Sequence, residues 1–207
     1  MREVLAPELW DYSIFADVHR ITTGRKGDRA FRGGFLHYSH LRKDLDLWMR
    51  QDTAPDSWFS TIIDLHAMPS DFPGRQRAFQ MPDPIERVEF LETEFGSDLQ
   101  HPRFIPYIQV HEFEALLFAD PSRILEVFPA RTSEVASLQA ACDSAPSPEH
   151  IDDGQHTAPS KRIRAVIPEY DKAAHGPVIA KLIGLREMRE RCQHFRGWLE
   201  RIMGCAS

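Results

Sequence analysis

The stretch Trp58-Phe59-Ser60-Thr61-Ile62-Ile63-Asp64 is the clearest buried strand in the chain, and its apolar run ends directly on a carboxylate. A short run this rich in aromatic and β-branched residues reads as a strand. The same logic reads Phe104-Ile105-Pro106-Tyr107-Ile108-Gln109-Val110 as a second strand, and the roughly alternating Ser13 to Thr22 as an earlier one. Helical spacing separates them. Leu36, Leu41, Leu45, Trp48 and Met49 predict an amphipathic helix over His37 to Gln51. A second helix starts at Pro84, with Asp83 as its N-cap and proline at its first position. Glu112-Phe113-Glu114-Ala115-Leu116-Leu117-Phe118 then reads as a third. Alternating strands and helices are the signature of right-handed βαβ units, so the expected fold is α/β with a mostly parallel sheet flanked by helices.

From Pro121 onward strand signals vanish, and short helices follow, broken near Pro129, Pro146, Pro148, Pro168 and Pro177. The expected organisation is an α/β core over residues 1–120 and an all-helical extension over 121–207 packed on it. Met1 to Leu9 looks like the middle of a helix with no strand before it. An α/β domain usually opens on a strand, so the first strand is expected to be missing.

Composition bounds the function. The chain has 207 residues, 42% of them hydrophobic and 27% charged, with a net charge of −6. A chain of this length buries roughly 70% of its unfolded surface and needs no covalent staples. Mean hydropathy is −0.40, and no apolar run approaches the ~20 residues of a membrane span. With no long apolar stretch at the N-terminus either, a cytoplasmic protein away from membranes is expected. Cys142, Cys192 and Cys205 are isolated, which argues against a disulfide framework or a cysteine zinc site. The acidic balance argues against coating nucleic acid by bulk charge, but not against a small basic pocket for one phosphodiester.

Asp64 is the first candidate for chemistry, because ligands of open parallel sheets bind beyond the carboxyl ends of the strands. The competing reading is an Asp that caps its own turn. If extension persists, His66 points to the side of Asp64, although an exposed loop histidine is the favoured reading, and Asp71 returns on the loop. The cluster His111-Glu112-Phe113-Glu114 resembles a metal or acid/base site. If helix begins at Val110, its two glutamates lie about 200° apart. Only one then faces the site, and Glu112 is favoured because Phe113, Leu116 and Leu117 mark the core face.

Two basic groups are candidates to meet a phosphate. Arg20 to Arg32 carries five positive charges against Asp28, among glycines that permit close backbone approach, with Arg25, Lys26 and Arg32 as the candidate contacts. The second group is Asp153 to Arg164, where Thr157 or Ser160 can cap a helix beside Lys161 and Arg162. For both, the plain alternative is a solvated basic face. Lys172 and His175 add a cation and an imidazole in a turn.

Four segments, in this order, resemble the family catalogued as domain of unknown function 4276: Ile63 to Gly74, Pro106 to Phe118, Asp153-Gly154 with Thr157 to Arg162, and Tyr170-Asp171-Lys172 with His175-Gly176-Pro177. The resemblance spans essentially the whole chain. It implies a Toprim-like fold, similar to small partners of ATPases in bacterial phage defence. Toprim domains hold magnesium with a strand-end glutamate and a later Asp-x-Asp pair. By resemblance Asp64 is the first aspartate of that pair. His66 stands where the second belongs, so Asp71 or Glu112 is expected to complete the cation shell.

The resulting expectation is a Mg2+- or Mn2+-dependent nuclease working with an AAA- or SMC-type ATPase on RNA or DNA. Asp64, Asp71 and Glu112 hold the metal in this reading. Asp64, Glu112 and Lys161 are catalytic, and Arg25, Lys26, Arg32, Arg162, Lys172 and His175 contact the substrate phosphate. The alternative is a non-catalytic adaptor of an ATPase complex, inactive without the acidic first strand.

Overall fold

A computed structural model describes residues 2–19, 21, 25–26, 29–30, 37–151 and 157–206. Its helices are α1 (Arg2–Trp10), α2 (Tyr38–Gln51), α3 (Arg75–Ala78), α4 (Pro84–Leu99), α5 (Thr132–Asp143), α6 (Pro159–Val166), α7 (Gly176–Arg191) and α8 (Gln193–Met203). Its strands are β1 (Arg25–Lys26), β2 (Arg29–Ala30), β3 (Phe59–Ser60), β4 (Ile63–Asp64), β5 (Phe104–Ile105) and β6 (Ile108–Gln109). The chain is thus mixed α/β, mostly helical with a few short parallel strands. It divides into two compact units, Val18–Gln109 and Met1–Asp17 with Val110–Ser207.

In Val18–Gln109, β3 pairs with β5 and β4 with β6, both parallel, while β1 and β2 form an antiparallel pair. The register is continuous: Phe59 faces Phe104 and Ile63 faces Ile108. The two long strands expected from sequence are each interrupted, and Pro106 supplies the reason, since it has no N–H to give the ladder. Thr61 fills the gap. Its hydroxyl donates to the Tyr107 carbonyl and accepts from the Tyr107 N–H, each at 3.2 Å.

Helix α4 begins as expected, with the Asp83 carboxylate accepting from the N–H of Ile85 at 2.8 Å and of Glu86 at 3.0 Å. Helix α2 buries Tyr38, Leu41, Leu45 and Met49. Its rings and those of α4 meet edge to face, Tyr38 on Phe72 at 5.1 Å and Phe72 on Phe95 at 5.2 Å. Such contacts add about 0.5–1.5 kcal/mol each beyond the area they bury. Asp98 ties the two helices, accepting from the Tyr38 hydroxyl at 2.6 Å and pairing with Arg42.

In the other unit, α1 and the 3-10 helix Phe113–Ala119 both pack on α7. Leu116, Leu117, Ile163, Ile179, Leu185, Met188, Phe195 and Leu199 form its solvent-free core. Helix α7 is broken at Gly184, whose φ of 78° and ψ of 157° leave the helical region. The described residues from Pro121 onward contain helices and no strand, as the sequence predicts. The strand expected over Ser13 to Thr22 is corrected. After α1 the chain turns at Ser13, with φ of 59°, and Ile14 N–H returns to the Leu9 carbonyl at 3.0 Å. The described residues from Ile14 to His19 belong to no ladder, and Arg20, Thr22 and Thr23 lie outside the described residues.

Candidate functional site

The site grows from the segment after β6. His111 takes a left-handed φ of 59°, and Glu112 is fully extended at φ −154°, ψ 167°. The tight 3-10 helix Phe113–Ala119 follows. Helix therefore does not begin at Val110, and the 200° separation of Glu112 and Glu114 does not arise. An extended residue followed by a 3-10 turn buries both glutamates, Glu112 to 7% exposure and Glu114 to 2%.

One lysine answers both. Lys172 Nζ pairs with Glu112 Oε2 and lies 3.2 Å from Glu114 Oε2. The other oxygen of Glu112 accepts from the Ser160 N–H at 2.6 Å, in the first turn of α6. The second oxygen of Glu114 faces the buried Tyr170 hydroxyl at 3.4 Å, a long and weak contact. The turn that carries Lys172 is braced by its own side chains. Asp171 Oδ1 accepts from the N–H groups of Ala173 and Ala174 at 2.8 Å, and the Asp171 N–H donates to His175 Nδ1 at 2.9 Å. The His175 ring rests edge-on against Phe128, 4.9 Å between centroids.

The electrostatics split the two acids. Burial raises the Glu112 pKa, but the Lys172 hydrogen bond and the two bonds from Ser160 outweigh it, leaving Glu112 below the usual carboxylate range. Glu114 is driven the other way: burial raises it, and the neighbouring Glu112 charge raises it further against the opposing pull of Lys172. Lys172 loses hydration, which lowers its pKa, yet the two carboxylates hold it above the ordinary lysine value. Neighbouring titratable groups pushed apart by their surroundings mark candidate acid/base sites.

The family model described as Domain of unknown function (DUF4276) matches residues 1–203. The chain belongs to that family. No curated protein and no solved structure matches it.

This DUF4276 chain places its other sequence-predicted residues as follows. Asp64 ends β4, opposite Gln109, half-buried, and its side chain does not cap the turn that follows. Extension stops at once, because Leu65–Ala67 is a 3-10 turn, and His66 on it is exposed. The alternation that would align His66 with Asp64 is therefore absent. Asp71 Oδ1 accepts from the Tyr38 N–H at 2.9 Å, so this carboxylate serves the first turn of α2. Asp64 and Asp71 belong to Val18–Gln109, and Glu112 belongs to the other unit.

Lys161 is exposed on α6, while Arg162 Nε donates back to the Thr157 carbonyl at 3.0 Å. Neither Thr157 nor Ser160 caps α6. Ala158 holds the N-cap position, and the Ser160 N–H at this helix start serves the Glu112 carboxylate. Arg25 and Lys26 form β1, and Arg32 lies outside the described residues.

Sequence reasoning underrated Glu114 and left Tyr170 without a role. The signal for Tyr170 was its place two residues before Lys172 in the quoted Tyr170-Asp171-Lys172 motif. For Glu114 it was hidden by the assumption of a regular helix. Among the described residues no three of His, Cys, Asp and Glu gather in one group.

Proposed function

We propose that this chain is a divalent-metal-dependent phosphodiesterase, a nuclease working with an ATPase partner. The observation that carries the reading is the pair Glu112 and Glu114, two adjacent buried acids with pKa values driven in opposite directions around one lysine. The donor set fits a hard cation, since both acids offer oxygen to the same point, now held by the Lys172 ammonium. Glu112 and Glu114 would hold the cation in place of that ammonium. When bound, Mg2+ or Mn2+ lowers the pKa of a water and offsets charge on the scissile phosphate.

The chain's own groups supply the rest. Glu114, whose pKa burial and the Glu112 charge raise, would give up its proton on joining Glu112 as a cation ligand. Lys172, with two-fifths of its side chain exposed, offers its N–H donors to the substrate phosphate. Lys161, exposed on α6, adds a second cation. Within Val18–Gln109, Asp64 and Asp71 remain proposed as ligands of a cation bound by that unit, on the strength of the family resemblance, and the parallel pairing of β3 with β5 and of β4 with β6 supports a Toprim-like arrangement there.

The test is cleavage of labelled RNA and DNA oligonucleotides with Mg2+ or Mn2+. Glu112→Gln and Asp64→Asn are each expected to lower the rate at least about 100-fold, with the Asp64→Asn thermal transition unchanged. Full activity in both variants, or no metal-dependent cleavage by the wild type, overturns the reading.

A non-catalytic adaptor of an ATPase complex is the second reading. Trp10, Tyr12 and Phe15 favour it, being 60%, 46% and 84% exposed along one short stretch, as apolar contact residues are. It predicts that a nucleotide-hydrolysing partner co-purifies with the full chain and is lost on Phe15→Asp, without cleavage by either protein.

A further inference from the structure

Within Val18–Gln109, the loop after β4 forms an open groove of about 500 Å³ whose lining includes Ser70, Asp71, Arg75, Gln76, Arg77 and Gln80. Its two arginines are set up in an unusual way. The Arg75 guanidinium stands 4.2 Å from the centroid of the Phe79 ring, and Arg77 stands 5.0 Å from that of Phe90. Stacking of this kind holds the guanidinium by its face and leaves N–H groups along its edge. Neither arginine forms an ion pair with any described residue. Arg75 Nε is buried with no hydrogen-bond partner among the described residues. That atom is closed to solvent, so it is the outer Arg75 N–H groups that can meet an acceptor.

The one acid in the lining does not supply it. Asp71 accepts from the Tyr38 N–H at 2.9 Å and lies 3.6 Å from His37 Nδ1. The backbone of the loop is fixed as well. Gly74 has φ of +73°, and a Cβ there would come within 2.7 Å of Glu94 Cγ and 2.9 Å of Phe90 Cε1. The arginines thus follow a turn that favours glycine.

We infer that Arg75 and Arg77 form a phosphodiester-binding groove for single-stranded nucleic acid. Two guanidiniums held over aromatic rings, without carboxylate partners among the described residues, suit phosphate oxygens. Phe79, whose ring the guanidiniums of Arg75 and Arg87 approach at 4.2 and 5.5 Å, is 41% exposed and adds apolar surface beside the arginines. Gln76 and Gln80 supply neutral hydrogen-bonding groups that suit a backbone of any sequence. The choice of nucleic acid as the source of the phosphates rests on the phosphodiesterase reading. The anion site itself does not.

The test is fluorescence anisotropy of a labelled single-stranded oligonucleotide with the full chain, in EDTA so that binding is separate from cleavage. Arg75→Gln with Arg77→Gln is expected to weaken binding by at least about tenfold and to reduce the salt slope by about two contacts. Arg186→Gln, which removes the same charge from an exposed pair with Glu190, is expected to leave binding unchanged. Should the glutamine pair fail to fold, Arg75→Lys with Arg77→Lys keeps the charge and loses the fork, and a weakening of about threefold is expected.

Unchanged binding in the arginine variants overturns the groove, whatever cleavage shows. Equal or tighter binding of duplex, or complete competition by millimolar inorganic phosphate or mononucleotide, also overturns it in favour of another anion. Loss of cleavage activity with binding intact would strike the phosphodiesterase reading alone.

Discussion

Two buried carboxylates in the same unit have been stabilised by opposite means. Glu149 is fully buried and accepts from two backbone N–H groups at the start of α8, those of His194 and Phe195, both at 3.0 Å. Glu112 is nearly as buried, but one of its oxygens is held by a lysine whose side chain is 40% exposed. Glu149 sits among groups that cannot move without unwinding a helix. Glu112 has one backbone anchor, the Ser160 N–H, and otherwise shares with Glu114 the Lys172 ammonium, which a ligand can displace. Burial of an acid therefore says little about function until its partners are known: backbone donors make a structural acid, and a movable cation makes an available one.

The sharpest way to break that contrast is Glu149→Ala. It strands two N–H groups in a solvent-free site, at about 1–3 kcal/mol for each orphaned donor, so a total loss of about 3–4 kcal/mol is expected. Urea denaturation measures it. A loss below about 1 kcal/mol would mean that Glu149 is not the acid that anchors α8.

Lys172→Met comes next. It leaves Glu112 and Glu114 facing each other without their cation. Breaking a fully buried pair costs about 3–5 kcal/mol, and the exposure of Lys172 reduces the expectation to about 2 kcal/mol. Adding Glu112→Gln and Glu114→Gln to that variant removes the stranded charges and should return most of the stability. If the triple variant is as weak as Lys172→Met, packing rather than charge holds this network, and the contrast with Glu149 disappears.

The pH dependence of stability carries smaller effects of opposite sign. Glu112 is lowered by folding, so its contribution is present above the unfolded carboxylate value of about 4.3 and is lost as pH falls through its folded pKa. Glu114 is raised, so its contribution is full below about 4.3 and is lost as pH rises through its folded pKa. Denaturation of the Gln variants from pH 3 to 7 should show this. Glu112→Gln flattens the acid limb, and Glu114→Gln removes the decline toward neutrality. Slopes of the same sign in both variants would mean that the two acids titrate alike.

Helix boundaries with a local cause were legible in the sequence. Asp83-Pro84 announces α4 through its own side-chain oxygen, and the apolar spacing of Leu41, Leu45 and Met49 announces α2. Strand position was legible too, but not continuity, because the Thr61 plug at Pro106 needs both strands to be seen together. The site was half legible. Glu112 and Lys172 stood out by residue type. Their pairing joins residues sixty positions apart, and the inward turn of Glu114 depends on extended backbone at Glu112 that helical periodicity cannot foresee. The start of α6 was expected as an anion site capped by Thr157 or Ser160, whereas Ala158 holds the cap position and the Ser160 N–H goes to the chain's own Glu112 carboxylate.

The smallest effect probes how soft the side-chain network is. Gly176 opens α7, and a Cβ placed on it would lie 3.1 Å from the Tyr170 hydroxyl oxygen and 3.4 Å from Phe113 Cε1. Alanine is otherwise the better helix residue, so Gly176→Ala sets a propensity gain against a tight contact, and a net loss of about 0.5–1 kcal/mol is expected. Tyr170→Phe should cost under about 1 kcal/mol by itself, since the hydroxyl reaches Glu114 only at 3.4 Å. Together the two changes should cost less than their sum, because the phenylalanine removes the atom that the new methyl meets. Additive costs would show that the hydroxyl yields freely to the methyl. The tyrosine would then not be pinned between Gly176 and Glu114.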